Sequence, residues 1–225
     1  MKGLTFTPEN ALAVCEGRKV QTRRLSGLAE INAAPERWKF FEECKASNAL
    51  GLYAFLSTPP IECRVRAAYR PGDKLALLTT WAIDKGFDEL TPKESCQHVI
   101  EHVGGGMRPK LWHAGLKAKP SWCGKSRPGR FLPNHLRPLM PQLLIESVKC
   151  ERVQDISRAD AMAEGLESAI VEDLDEIGYK LPNGEWMADP KQAFRHLWDS
   201  INTKRGYGWA VNPWVFCYQF KLITP

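Results

Sequence analysis

The sequence predicts an α+β fold in which short helices flank a small β-barrel, and three observations lead there. Apolar stretches of strand character recur along the whole chain, short capped helices separate them, and the two kinds of element do not alternate as βαβ units would. At 225 residues and 44% hydrophobic composition the chain can bury one sizeable core. It is therefore read as a single domain, 1–225, carrying two long insertions at about 28–62 and 84–133.

Leu4 and Phe6 mark a first short strand. Thr7 and Pro8 then supply an N-cap and a first helical residue for a helix that Gly17 ends. Residues 28–62 mix helix formers with Trp38, Phe40 and Phe41, show no clear period, and end in Pro59-Pro60. Arg70-Pro71-Gly72-Asp73 is a turn, and Lys74 to Ala82 after it reads as a core strand covered on both faces. From Asp84 to Pro133 the chain is rich in Gly, Pro and basic residues, including Gly104-Gly105-Gly106, and reads as a long irregular excursion. Leu143 to Val148 is another strand, and a short helix capped at Ser157 reaches Glu164 before Gly165 stops it. Asp189-Pro190 starts a helix with Ala193, Phe194, Leu197, Trp198 and Ile201 at helical spacing, and Pro213 to Phe220 forms a closing strand.

No apolar run approaches the roughly 18 residues of a membrane helix, and Met1-Lys2-Gly3-Leu4 opens no signal peptide, so a cytoplasmic protein is expected. Seven cysteines (15, 44, 63, 96, 123, 150 and 217) without a CxxC pair speak against a disulfide framework or a zinc ribbon. His98 and His102 have i,i+4 spacing but lack the HExxH glutamate or a cysteine pair, so no metal and no cofactor is expected. The net charge is +5, yet no acidic residue stands between Glu101 and Glu146, a window holding Arg108, Lys110, Lys117, Lys119, Lys125, Arg127, Arg130 and Arg137. These cations interleave with Trp112, Trp122 and Phe131, so segment 108–137 is a candidate RNA- or DNA-binding stretch, or equally a solvated loop with anchoring aromatics.

The segment Gly17-Arg18-Lys19-x-x-Thr22-x-Arg24 resembles the GxKxxTxR signature of the ASCH family, whose domains adopt a PUA-like β-barrel. Further blocks resemble the larger ASCH-like proteins of phage genomes. They are Pro71-Gly72-Asp73, Val153 to Ser157 leading to Ala163-Glu164-Gly165, Trp198 to Asn202, Tyr207-Gly208-Trp209, and Asn212-Pro213-Trp214. One departure is that Ala76-Leu77-Leu78-Thr79 stands where such relatives carry a strand resembling W-V-R-E. Some small ASCH proteins remove acyl groups from the exocyclic nitrogen of cytidine with a Lys, a Thr and a Glu, and the resemblance places those roles on Lys19, Thr22 and Glu164. Arg24, Trp81, Tyr207 and Asn212 are the candidates for holding the substrate, a modified cytosine nucleoside.

The chemistry needs these residue types. A threonine hydroxyl is a weak nucleophile until a base takes its proton, and a neutral lysine can do so. Burial and the neighbouring charges of Arg18, Arg23 and Arg24 favour neutral Lys19. Glu164, at a helix C-terminus where the dipole disfavours a carboxylate, suits a proton carrier or a holder of the substrate N–H. An extended strand after Gly17 would send Lys19 and Thr22 to opposite faces, so the trio is expected to need a turn there. Set against this, a GRKxxTRR stretch alone is an ordinary solvated basic turn. Two other functions compete: a PUA-like RNA- or DNA-binding module without chemistry, and a ribonuclease in which Lys19 and a carboxylate activate a 2′-hydroxyl.

Overall fold

The computed structural model describes residues 1–44, 51–89, 111–114, 119–171 and 176–223. It is a mixed α+β protein dominated by strands, with thirteen strands and four α-helices among the described residues. In chain order the first are β1 (Gly3–Thr5), α1 (Pro8–Cys15), β2 (Gln21–Arg24), α2 (Ala29–Asn32), β3 (Trp38–Cys44), β4 (Leu52–Ser57) and β5 (Glu62–Arg66). Then come β6 (Lys74–Leu78), β7 (Trp81–Ala82), β8 (Trp112–His113), β9 (Gln142–Arg152) and α3 (Arg158–Ala163). The last are β10 (Ser168–Val171), β11 (Glu176–Lys180), β12 (Trp186–Met187), α4 (Pro190–Asn202) and β13 (Trp214–Ile223). No helix among the described residues is long and apolar enough to cross a membrane. His98, His102, Gly104 to Gly106, Arg108, Lys110 and Lys117 lie outside the described residues.

The chain divides into two compact units, one of Met1–Gly17, Lys74–Leu144 and Leu222–Pro225, the other of Arg18–Asp73 and Ile145–Lys221. In the first unit β1 pairs parallel with β6 (Leu4 opposite Leu77), and β6 pairs antiparallel with the start of β9 (Leu75 opposite Leu143). Helix α1 starts where the sequence places it, the Thr7 hydroxyl accepting the Asn10 N–H at 3.3 Å and Pro8 following the cap. The core of this unit gathers Ala76, Leu78, Trp81, Ile83, Leu132, Leu136 and Met140. The basic excursion closes over it through Gly129, where a Cβ would stand 2.6 Å from the Thr79 carbonyl oxygen, so only glycine permits the approach.

In the second unit β13 pairs antiparallel with β2 (Tyr218 opposite Thr22, Cys217 opposite Arg23), and β13 has β9 on its other side. Helices α3 and α4 cover a core of Val153, Ile156, Ala161, Leu166, Ala193, Phe194, Trp198 and Val215. Strands β10, β11 and β12 form a small antiparallel sheet. The stretch at 28–62, read as an insertion without a period, contributes α2 and most of a second antiparallel sheet, β3-β4-β5. Its central strand is integral to the unit. Tyr53 and Phe55 are buried, the Tyr53 hydroxyl donates to the Val148 carbonyl at 3.1 Å, and Phe55 meets Trp214 edge to face at 5.0 Å. The sequence hid this sheet because all five inner positions of β3 are exposed, which erases the alternation a half-buried strand displays. No sheet among the described residues closes on itself as a barrel.

Candidate active site

The site lies wholly within the second unit and is assembled by the end of α3 against the chain that enters β2. Ser157 caps α3, its hydroxyl accepting the Asp160 N–H at 3.0 Å, and after six residues Glu164 occupies the C-cap. Gly165, at φ +88°, then turns the chain away. That turn is stitched to the segment before β2. Lys19 and Glu164 form a β-bridge, the Val20 N–H donates to the Ala163 carbonyl at 3.0 Å, and the Arg18 guanidinium donates to the Gly165 carbonyl at 3.3 Å. A glutamate and a lysine 145 residues apart are thus brought side by side by backbone as well as side-chain bonds.

Lys19 Nζ donates to Glu164 Oε2 at 2.8 Å and to the Glu164 carbonyl, with both residues only 4% exposed. The other carboxylate oxygen, Oε1, accepts from Arg23 Nη1 at 3.0 Å. Arg23 in turn directs Nε and Nη2 to one oxygen of Glu151, at 2.9 and 2.7 Å. Lys149 bridges Glu151 and Asp160 at 3.0 and 3.1 Å, and the Gln21 amide donates to the Asp160 carboxylate and carbonyl, both at 2.9 Å. Three cations (Lys19, Arg23, Lys149) therefore face three carboxylates (Glu151, Asp160, Glu164), which makes burial of so many charges tolerable.

Burial strips solvent from the Lys19 ammonium and drives its pKa down; Glu164 opposes this by charge and hydrogen bond, while Arg24 and Arg23 add to the lowering. The net direction is toward the neutral amine, as the sequence implied, with Arg23 and Arg24 rather than Arg18 as the neighbours responsible. Burial pushes the Asp160 carboxyl up, but hydrogen bonds from Gln21 and Lys149 and the charges of Lys149 and Arg23 outweigh it and hold it at about 2. Because that lies below the ordinary value near 3.8, Asp160 contributes stability above that value and loses it as pH falls through about 2. In urea melts, Asp160→Asn is expected to be less stable than the parent at neutral pH, with the difference closing between about pH 4 and pH 2. A difference that stays constant across that range would mean the charge of Asp160 contributes nothing.

The turn expected after Gly17 is completed before Lys19, and from Gln21 the chain is extended. Alternation along β2 accordingly sends Gln21 and Arg23 to the face of Asp160 and Glu164, and Thr22 and Arg24 to the other face, beside Tyr218 and Phe216 of β13. Thr22 is buried, 5% exposed, and among the described residues its hydroxyl hydrogen-bonds to neither Lys19 nor Glu164. Lys19 and Glu164 are brought together directly, and Thr22 is not brought to them. Arg24 is partly buried and feels the charge of Glu164 and the phenols of Tyr69 and Tyr218.

The other candidates have structural occupations. Trp81 belongs to the core of the first unit, 1% exposed, its indole N–H on the Pro128 carbonyl at 3.2 Å and the Arg127 guanidinium over its ring. The Asn212 side chain accepts the Gln154 N–H at 3.0 Å while its backbone holds the left-handed conformation at φ 49° that ends a 3₁₀ turn. Tyr207 is half-buried, and its carbonyl receives the Trp198 indole N–H at 2.7 Å. In the basic stretch, Arg127 pairs with Asp88 at 3.4 Å and Lys125 with Glu89 at 3.0 Å, so acids from before the acid-free window neutralise part of it. Arg23, Glu151, Asp160 and Gln21 were not singled out as members of the site. The readable signal was the every-other-residue spacing of Lys19, Gln21 and Arg23, three polar side chains of one strand face.

No protein-family model matches the chain, and no match to it is found among the curated proteins or the solved structures.

Proposed function

We propose that this protein is an ASCH-like amidohydrolase that removes the acyl group from N4-acylated cytidine or deoxycytidine. The observation that carries the reading is the Lys19–Glu164 pair: an amine nearly without solvent, its pKa lowered by burial, in direct contact with a carboxylate and three residues from a buried threonine. The substrate class and the PUA-like ancestry rest on the resemblance of the Lys19, Thr22 and Glu164 blocks to that family.

In the proposed reaction the Thr22 oxygen attacks the acyl carbonyl carbon while Lys19 takes the hydroxyl proton. The C–N bond then breaks, the cytosine amine leaving with the proton that Lys19 took from Thr22, and an acyl ester remains on Thr22. Water, deprotonated by Lys19, hydrolyses that ester to the free acid and restores the hydroxyl. Thr22 and Lys19 share no hydrogen bond here, so the reaction requires the chain around Gln21 to bring the hydroxyl within reach of the amine when substrate binds. Arg24, on the face of Thr22, is positioned to receive charge developing on the carbonyl oxygen.

The test compares release of cytidine from N4-acetylcytidine, N4-acetyl-2′-deoxycytidine and an acetylated oligonucleotide, with Thr22→Ala as control. Product from the parent and none from the variant supports the reading. No product from any substrate overturns it, and undiminished product from Thr22→Ala would transfer the attack to water. The RNA- or DNA-binding alternative has less behind it, since Arg127 and Lys125 are engaged by Asp88 and Glu89; loss of RNA cleavage in Lys19→Ala, with no amidase activity in the parent, would favour the ribonuclease instead.

A further inference from the structure

The proposed reaction uses Lys19, held by one oxygen of Glu164, and leaves the rest of the buried cluster without a stated role. Arg23 is the most constrained member of that cluster. Its side chain is 1% exposed, and its three nitrogens are directed at two carboxylates from two different elements, Glu151 on β9 and Glu164 at the end of α3. Its guanidinium also lies 5.8 Å from the centre of the Phe194 ring on α4. The planar fork holds both acids at once with its donors in a fixed geometry, where an ammonium offers a point charge with rotatable donors. Because Oε1 of Glu164 is held by Arg23, Oε2 is left to Lys19.

We propose that Arg23, anchored by Glu151, is a positioning residue that holds the Glu164 carboxylate with one oxygen on Lys19 and the other turned away from it. This rests on the reading of Lys19, partnered by Glu164, as the acid–base group. Arg23 occupies a variable position of the GxKxxTxR pattern, and its side chain bonds Glu151 and Glu164; it acts through Glu164 and through its own charge. The groups that face this centre are Glu164 and Asp160 from α3, Glu151 and Lys149 from β9 and Cys217 from β13, and Arg24 acts on it by charge from the other face of β2. Of these, Arg23 and Arg24 disfavour the charged form of Lys19, and Glu164 favours it. Removing Arg23 thus acts on Lys19 twice in one direction: a repelling cation disappears, and both oxygens of Glu164 become available to the ammonium.

The experiment follows the titration of Lys19 by NMR of a lysine side-chain label, and in parallel the pH dependence of kcat for N4-acetylcytidine, in the parent, Arg23→Gln and Arg23→Lys. In Arg23→Gln the Lys19 titration, and with it the rising limb of the rate profile, is expected about one pH unit higher than in the parent. kcat at neutral pH falls about tenfold as the neutral fraction falls, with KM changed less than about twofold. Arg23→Lys keeps the charge and is expected to recover most of the midpoint while losing the two-nitrogen grip on one oxygen of Glu151. If Arg23→Gln fails to fold, the paired Arg23→Gln/Glu151→Gln variant removes both charges of the anchoring ion pair together and is expected to show the same upward displacement. An unmoved Lys19 midpoint in folded Arg23→Gln or in the paired variant, or a rate lowered equally at every pH, overturns the proposal. The NMR titration decides it even where the parent releases no cytidine, an outcome that would reject the assigned reaction while leaving the role of Arg23 toward Lys19 measured.

Discussion

Glu164→Ala is expected to destabilise the protein by about 3–5 kcal/mol, the cost of leaving buried charges without their partner. Among the described residues, Lys19 would keep the backbone carbonyl of residue 164, and Arg23 would keep Glu151 and the more distant Asp160 as its acidic partners. Such a loss is a large share of the about 5–15 kcal/mol that holds a typical domain together. The comparison that gives it meaning is Lys149→Ala, whose ammonium is about half exposed and whose ion pairs are therefore expected to contribute under about 1 kcal/mol. Urea denaturation of the two variants beside the parent measures both. If Glu164→Ala loses no more than Lys149→Ala, the carboxylate is not what makes burial of Lys19 and Arg23 tolerable.

Lys19→Met is expected to lower kcat on N4-acetylcytidine by about 10²–10⁴-fold, the range general-base catalysis supplies, while costing less stability than Glu164→Ala. The asymmetry follows from the pairing: without Lys19, the Glu164 carboxylate still has Arg23 at 3.0 Å, and a thioether chain of similar length fills the space the lysine stem occupied. Steady-state kinetics with a melt on the same sample separates the two effects. Activity near that of the parent in a folded Lys19→Met protein would reduce the whole cluster to a structural ion network and sink its catalytic assignment. Combining the change with Thr22→Ala adds a further discriminator. Groups that act as one unit lose little more together than either loses alone, so a double variant no worse than the single ones would join Thr22 to Lys19 functionally.

Much of the local architecture was legible beforehand. Thr7-Pro8, Ser157 and Asp189-Pro190 announced the starts of three helices, and each side chain does accept the N–H that a cap should. Those signals are readable because capping is a bond between near neighbours. The β3-β4-β5 sheet was not legible, since β3 is exposed on both faces and β4, with Tyr53 to Phe55 buried in succession, shows no alternation either. Within the site, Lys19 and Glu164 were named from their blocks, but Arg23 appeared only as a repelling neighbour and Glu151 and Asp160 not at all. An arginine in a basic run carries no mark that it will be buried between two acids roughly 130 and 140 residues further along the chain.

By itself, then, the sequence determined the α+β class and the caps, because each depends on residue type and short-range spacing, whereas Lys19 and Glu164 were marked out by the resemblance of their blocks to a family. Tertiary structure alone decided which face each residue takes. Pairing of β2 with β13 puts Gln21 and Arg23 toward α3 and Thr22 and Arg24 toward Tyr218 and Phe216, and the Lys19–Glu164 bridge sets the end of α3 onto the chain entering that strand. The period of two along an extended chain is what converts neighbours in sequence into residues on opposite faces. Burial then turns a basic turn into a balanced cluster of charges, because cations removed from water persist only where carboxylates meet them.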